Sequence, residues 1–280
     1  MQPDEALARL PDGYRSLFGR VVERCSQDER VRAMWLGGSL ARGDTDQSSD
    51  LDVLIAVADA AFDEFGAGWK SWLGSITPTV IARALPFVPG SFYSVTPAME
   101  RLDVISERVS ALATTPHRVR LLVLDKDECC SLVAEPSPAP GPSAITIASL
   151  VEEFFRDYAM FHTVVDRDDW LLGIEAINVI RSLLYRLFLE SNAPIPITGV
   201  KRWSEKLTPE QRAVLESLPA ARPRRDEVIP VHEAVSLAFV REAKSICRSV
   251  GVEWPTELDR CVCDHLASHG LPHLAERAVE

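Results

Sequence analysis

Residues 31–57, VRAMWLGGSLARGDTDQSSDLDVLIAV, decide how this chain folds and where its chemistry can lie. Val31–Leu36 reads as a short buried strand that runs straight into Gly37-Gly38-Ser39. Leu51–Val57 reads as a second strand, with Asp50 and Asp52 at its start. Residues two apart on a strand share a face, so both carboxylates project into one space while Leu51 and Val53 point the other way. The small-residue turn exposes backbone N–H groups and lets an anion approach closely, and Ser39 adds a hydroxyl donor. Paired carboxylates supply the hard oxygen ligands that Mg²⁺ prefers, in sites commonly completed by substrate phosphates. A phosphate cradle facing such a pair suits phosphoryl or nucleotidyl transfer. The blander reading makes Asp44, Asp46, Asp50 and Asp52 the decoration of a polar loop. It fits poorly with a buried-looking strand whose acids stand only at its start, behind a glycine turn.

Working outward, Asp4–Cys25 carries Leu7, Leu10, Tyr14, Leu17, Phe18, Val21 and Val22 at close to helical spacing. Phe62–Leu73 predicts a helix that stops near Gly74, and Thr79–Leu85 and Ser91–Thr96 read as extended. A turn at Pro97–Glu100 leads into Arg101–Val109, which alternates like the returning strand of a hairpin and carries Asp103. Arg118–Leu124 is a further apolar strand. The stretch EPSPAPGPS at Glu135–Ser143 can continue neither a helix nor a ladder and reads as a linker. Beyond it, Ile145–Val165, Trp170–Glu190, Pro209–Leu218, Val231–Val250 and Pro255–His269 show helical periodicity, with Asn192, Pro194 and Pro196 ending the second. The expected class is α+β: a mixed-sheet domain over residues 1–135, a proline-rich linker over 136–143 and an all-helical domain over 144–280.

Composition narrows the setting. With 280 residues, 46% hydrophobic and 25% charged, the chain can bury a core without a disulfide or metal staple. Its six cysteines show no framework spacing, so reduced thiols are expected. The N-terminus lacks the basic start and apolar core of a signal peptide, and no apolar run approaches the ~18 residues of a membrane span. The expectation is a cytoplasmic protein with no membrane partner. A formal net charge of −11 repels nucleic-acid backbones, so no long nucleic acid is expected, although excess acid also serves solubility.

The run from Gly38-Ser39 to Asp50-Leu51-Asp52 resembles the signature of the DNA polymerase beta-like nucleotidyltransferase superfamily. The intervening ARGDTDQSSD is similar to the version in small bacterial antibiotic nucleotidyltransferases of the aminoglycoside and lincosamide type. The resemblance covers Val31–Leu124 well and the helical half more weakly. It implies an enzyme of the EC 2.7.7 type, with ATP or another nucleoside triphosphate as co-substrate and two Mg²⁺ ions. In that reading Asp50 and Asp52 bind metal, and Asp103 is a ligand, the base, or both. Gly38, Ser39 and Ser49 contact the nucleotide. Lys201, in GVKRW, resembles a lysine that reaches the phosphates, where an ammonium would offset triphosphate charge; an ordinary surface lysine is the alternative. Families of this kind often carry a helical domain that closes the acceptor pocket, and DRDDWLLGIEAINVIRSLLYRL resembles its helix pair. The expected acceptor is a small hydroxylated molecule, an aminoglycoside foremost. Two rival functions stay open: a toxin-type transferase acting on RNA or protein, and a non-catalytic nucleotide-binding regulatory module.

Weaker signals lie in the helical half. Glu152, Glu153, Asp157 and Glu175 are candidate acceptor-site acids or bases, or charge on a solvated face. Trp170 and Trp203 suit either base stacking or helix packing. Cys261, Cys263, His265, His269 and His273 cluster near the C-terminus. Their spacing fits no structural zinc pattern, and Gly270 and Pro272 would break the aligning helix, so core cysteines and surface histidines are expected.

Overall fold

The structure, a computed structural model, describes residues 2–86, 88–116, 118–195 and 202–271. The chain divides into two units, Met1–Pro138 and Ala139–Glu280. In the first, proline sets an early break. Pro11 lacks an N–H and biases its predecessor away from helix, so the expected Asp4–Cys25 helix becomes α1 (Pro3–Leu7) and α2 (Gly13–Gln27). Tyr14, Leu17, Val21 and Cys25, three and four apart, form the buried stripe of α2. Strand β1 (Val31–Leu36) follows, then a five-residue helix α3 (Gly38–Arg42) where the sequence suggests a simple turn. It stops at Gly43, whose left-handed φ of 82° suits a residue without a Cβ. Then come β2 (Leu51–Val57), α4 (Phe62–Gly74), β3 (Ile81–Ala84), β4 (Phe92–Val95), β5 (Arg101–Arg108) and β6 (Leu121–Asp125).

The six strands form one mixed sheet in the order β3-β4-β5-β2-β1-β6. Only the central pair, β2 and β5, is parallel; the other neighbours are antiparallel. Strand alternation divides the two faces. Leu51, Val53, Ile55 and Val57 of β2, with Leu102 and Val104 of β5, join the core built with Leu17, Val21, Phe65 and Trp72 of α2 and α4. Leu54 and Ala56 point the other way, into a smaller cluster with Ala33, Trp35, Leu112 and Cys129. Asp52 has the parity of Leu54, so the geometry of the strand assigns its carboxylate to the face opposite the helices.

The second unit is helical: α5 (Ala144–Ala159), α6 (His162–Asp166), α7 (Trp170–Ser191), α8 (Pro209–Ser217), α9 (Arg225–Val250) and α10 (Thr256–Ser268). Ser143 caps α5 by accepting the Thr146 N–H, and Thr208 with Gln211 forms a capping box on α8. The expected Ile145–Val165 helix is interrupted because the amides of Met160 and Phe161 bond three residues back, tightening the chain into a turn. Helix α9 begins at Arg225 rather than Val231, with Pro230 inside it. That proline lies in the second turn, where it forfeits one intrahelical bond to the carbonyl of Asp226. The core is aromatic: Phe154 stacks on Phe239 at 4.1 Å, and Phe161 on His232 at 3.5 Å. Among the described residues, no helix is long and apolar enough to cross a membrane.

Candidate active site

The end of β1 and the start of β2 are locked together by the Gly37 N–H, which donates to the Asp52 carbonyl at 2.9 Å. This hydrogen bond brings the glycine pair against the first carboxylates. Gly38 adopts φ +53°, and a Cβ there would fall 1.8 Å from Oδ2 of Asp52. Only glycine fits, because both the backbone conformation and the close approach exclude a side chain. The Ser39 hydroxyl makes no hydrogen bond to any described residue and is free to serve a ligand. Ser49 is engaged locally: its hydroxyl donates to Oδ1 of Asp46 at 3.0 Å and accepts the Asp46 N–H at 3.0 Å, closing the loop before β2.

Asp103 reaches the site through strand pairing. In the parallel β2/β5 ladder it stands directly opposite Asp52, so the two side chains leave the same face of adjacent strands. Arg101, two residues earlier on β5, shares that face. Its guanidinium lies 2.9 Å from Oδ2 of Asp103 and 3.3 Å from Oδ2 of Asp50. One cation therefore ties the first and third acids together around the second. Burial, and then the charges of Asp103 and Asp50, push the Asp52 carboxyl up to about 6, against the pull of Arg101 and Arg42. Three acids sharing so small a volume repel one another, and the two arginines offset only part of that charge. Such a set of oxygen donors, without imidazole or thiolate, suits a hard divalent cation such as Mg²⁺. Asp50, Asp52, Asp103, Gly38 and Ser39 are thus brought together. Sequence reasoning passed over Arg101 and Arg42, although the i−2 position of Arg101 from Asp103 was a signal for the first.

The remaining candidates belong to the helical unit. Lys201 lies outside the described residues, as does His273. Glu152 and Glu175 are exposed on α5 and α7, whereas Glu153 pairs with Arg156 at 2.7 Å, and Arg156 also holds Asp157. Trp170 donates its indole N–H to Asp168 at 2.7 Å, and Trp203 stacks on Tyr185 at 3.6 Å while remaining half exposed. Local packing thus accounts for both indoles.

Comparison with known proteins bears on the first unit. Residues 19–85 match the family described as "Nucleotidyltransferase domain", a span that includes the glycine turn, Asp50 and Asp52. No curated protein matches the chain in sequence. Among solved structures, the chain is similar to an aminoglycoside 6-adenyltransferase from Bacillus subtilis, at 15% identity and a TM-score of 0.43, covering 91% of this chain and 97% of that one. It is also similar to the CdnE cyclic dinucleotide synthase of Elizabethkingia meningoseptica, at 13% identity and a TM-score of 0.27, covering 88% and 80% respectively. Structural likeness this distant carries no argument about activity, so the sequence-family match stands by itself. The glycine turn, Asp50 and Asp52 thus lie in the part of the chain that is similar to the nucleotidyltransferase-domain family, and Asp103 lies beyond the matched span.

Proposed function

We propose that the protein transfers a nucleoside monophosphate from a nucleoside triphosphate, ATP foremost, to a hydroxyl of a small acceptor, with Asp50, Asp52 and Asp103 as its metal-binding acids. The observation that carries this reading is the register of β2 and β5, which sets Asp103 opposite Asp52 beside a glycine with no room for a side chain. Bound Mg²⁺, held by the three carboxylates, would offset charge on the attacking and leaving oxygens. In this scheme Gly38 and Ser39 grip the β- and γ-phosphates through backbone N–H groups and the free hydroxyl. The acceptor oxygen bonds to the α-phosphorus, the bridging bond to the β-phosphate breaks, and pyrophosphate leaves. Asp103 takes the acceptor proton, with Arg101 orienting its carboxylate from 2.9 Å.

An aminoglycoside-like acceptor suits the chain on charge. A net charge of −11 attracts a polycation and repels a polynucleotide. The test is transfer of labelled nucleotide to aminoglycosides, lincosamides and tRNA, with and without Mg²⁺. Mg²⁺-dependent labelling of an aminoglycoside is expected, together with its loss in Asp50→Ala and Asp52→Ala proteins that stay folded. Retained transfer in either variant would refute the metal assignment. Labelling of tRNA alone would replace the acceptor.

A further inference from the structure

Three histidines in the helical unit are left unused by this chemistry. His265 lies on α10, and His269 follows four residues later at its C-terminal cap, so both occupy one helical face. His162 opens α6, and its Nδ1 lies 3.1 Å from Nε2 of His265, a contact spanning 103 positions of sequence. The three ring centroids stand 4.6 to 4.7 Å apart. One nitrogen from each ring falls within 4.8 Å of the other two. From these contacts we propose that His162, His265 and His269 form a binding site for a divalent transition metal, zinc foremost, that ties α6 to the end of α10.

Three features favour a metal over incidental packing. First, the rings have carbonyl partners of the kind that orient ligating imidazoles. Nδ1 of His162 lies 2.9 Å from the Ala159 carbonyl, and Nδ1 of His269 lies 3.0 Å from the His265 carbonyl. In His269 a proton given to that carbonyl from Nδ1 leaves the lone pair on Nε2, the second-sphere arrangement typical of zinc-bound histidine, whereas Nδ1 of His162 faces both the Ala159 carbonyl and Nε2 of His265. Second, among the described residues no hydrogen bond or ion pair links any of the rings to a carboxylate, so imidazole is the whole donor set. Such a set selects zinc, copper or nickel over Mg²⁺, which prefers oxygen. Third, the spacing is close to closure. Nitrogens on one tetrahedral zinc, at 2.0–2.1 Å from the metal, sit about 3.3 Å apart. The widest gap here, 4.8 Å, therefore closes with small side-chain rotations, which the partial exposure of the rings permits. His269 is exposed, so solvent can supply the fourth ligand.

The test uses the untagged full-length protein, titrated with zinc by calorimetry in excess Mg²⁺ so that carboxylate sites are held by the harder ion. One zinc per chain is expected, with a nitrogen- and oxygen-only shell by X-ray absorption. His162→Ala and His269→Ala should each weaken binding at least about tenfold. Zinc should also raise the thermal midpoint of the wild type and not that of His269→Ala, whose exposed side chain makes misfolding a poor explanation. The idea fails if no zinc binds, if sulfur appears in the shell, or if both folded variants bind like the wild type.

Discussion

Replacing Gly38 with alanine probes the candidate site at a single atom. The new Cβ would stand 1.8 Å from Oδ2 of Asp52, where ordinary contact begins at 3.4 Å. Either the carboxylate or the turn must give way by more than an ångström, and a misplacement of about 1 Å costs a catalytic site roughly 100-fold. The left-handed φ of +53° adds a strain of about 1–2 kcal/mol for a residue with a Cβ. In a unit of this size that lowers the melting temperature by roughly 3–8 °C. Binding of Mn²⁺, followed by the loss of its free-ion spin-resonance signal, reads the carboxylate site without knowledge of the acceptor. Affinity is expected to fall at least about tenfold, and nucleotide transfer roughly 100-fold. Gly251→Ala is the control: φ is +73° there, but no atom lies within 4 Å of the added Cβ. It should lose comparable stability and no Mn²⁺ affinity. A folded Gly38→Ala protein that binds Mn²⁺ as the wild type does would break the link between the turn and the acids.

Asp52→Asn should stabilise the metal-free protein. Its folded pKa is raised from 3.8 to about 6, so wild-type stability falls as pH climbs through that window, by up to about 3 kcal/mol. Denaturant titrations at pH 7 and pH 4 should show the variant's gain at the first and little at the second; a loss at pH 7 would contradict the assigned cause. His232 behaves in the opposite sense. Burial lowers its pKa from 6.5 to about 3, so stability is full above pH 6.5 and drains as pH falls toward 3, at up to about 1.4 kcal/mol per unit. His232→Leu should flatten that slope, and an unchanged slope would remove His232 as its source. The buried pair Arg120–Glu107, 2.7 Å apart, predicts that Glu107→Leu costs about 3–5 kcal/mol by stranding the guanidinium. The double variant Glu107→Leu/Arg120→Met should recover most of it, whereas no recovery in equilibrium unfolding would argue against a stranded charge.

The elements that position the site were readable because strands and buried helices leave periodic traces. Alternation in LDVLIAV and RLDVISER located two strands and gave Asp52 and Asp103 their parity. What alternation cannot give is pairing: that β2 lies beside β5 in parallel, with Asp52 opposite Asp103, depends on the whole sheet. Arg101 escaped notice because a strand arginine ordinarily reads as a solvated charge, and its role depends on the acid across the ladder. Local competition hid other features. Helix α9 starts six residues before the expected Val231 and takes in Pro230, while Pro11 divided a helix that apolar spacing had joined. The histidine trio was beyond sequence reasoning, since spacing near the C-terminus contains only two of its described members and His162 arrives through tertiary packing.

The side-by-side run of β2 and β5 has a bearing on how such a chain can vary. Between Asp52 and Asp103 the polypeptide leaves the sheet centre to form α4, β3 and β4 before it returns. Lengthening that excursion costs little, because loop-closure entropy grows only slowly with length. Adding one residue inside either central strand is another matter, since it swings an acid through the sheet into the packed apolar side. Homologues are therefore free to differ in the distance from one acid to the next, while the odd-or-even count within each strand is held.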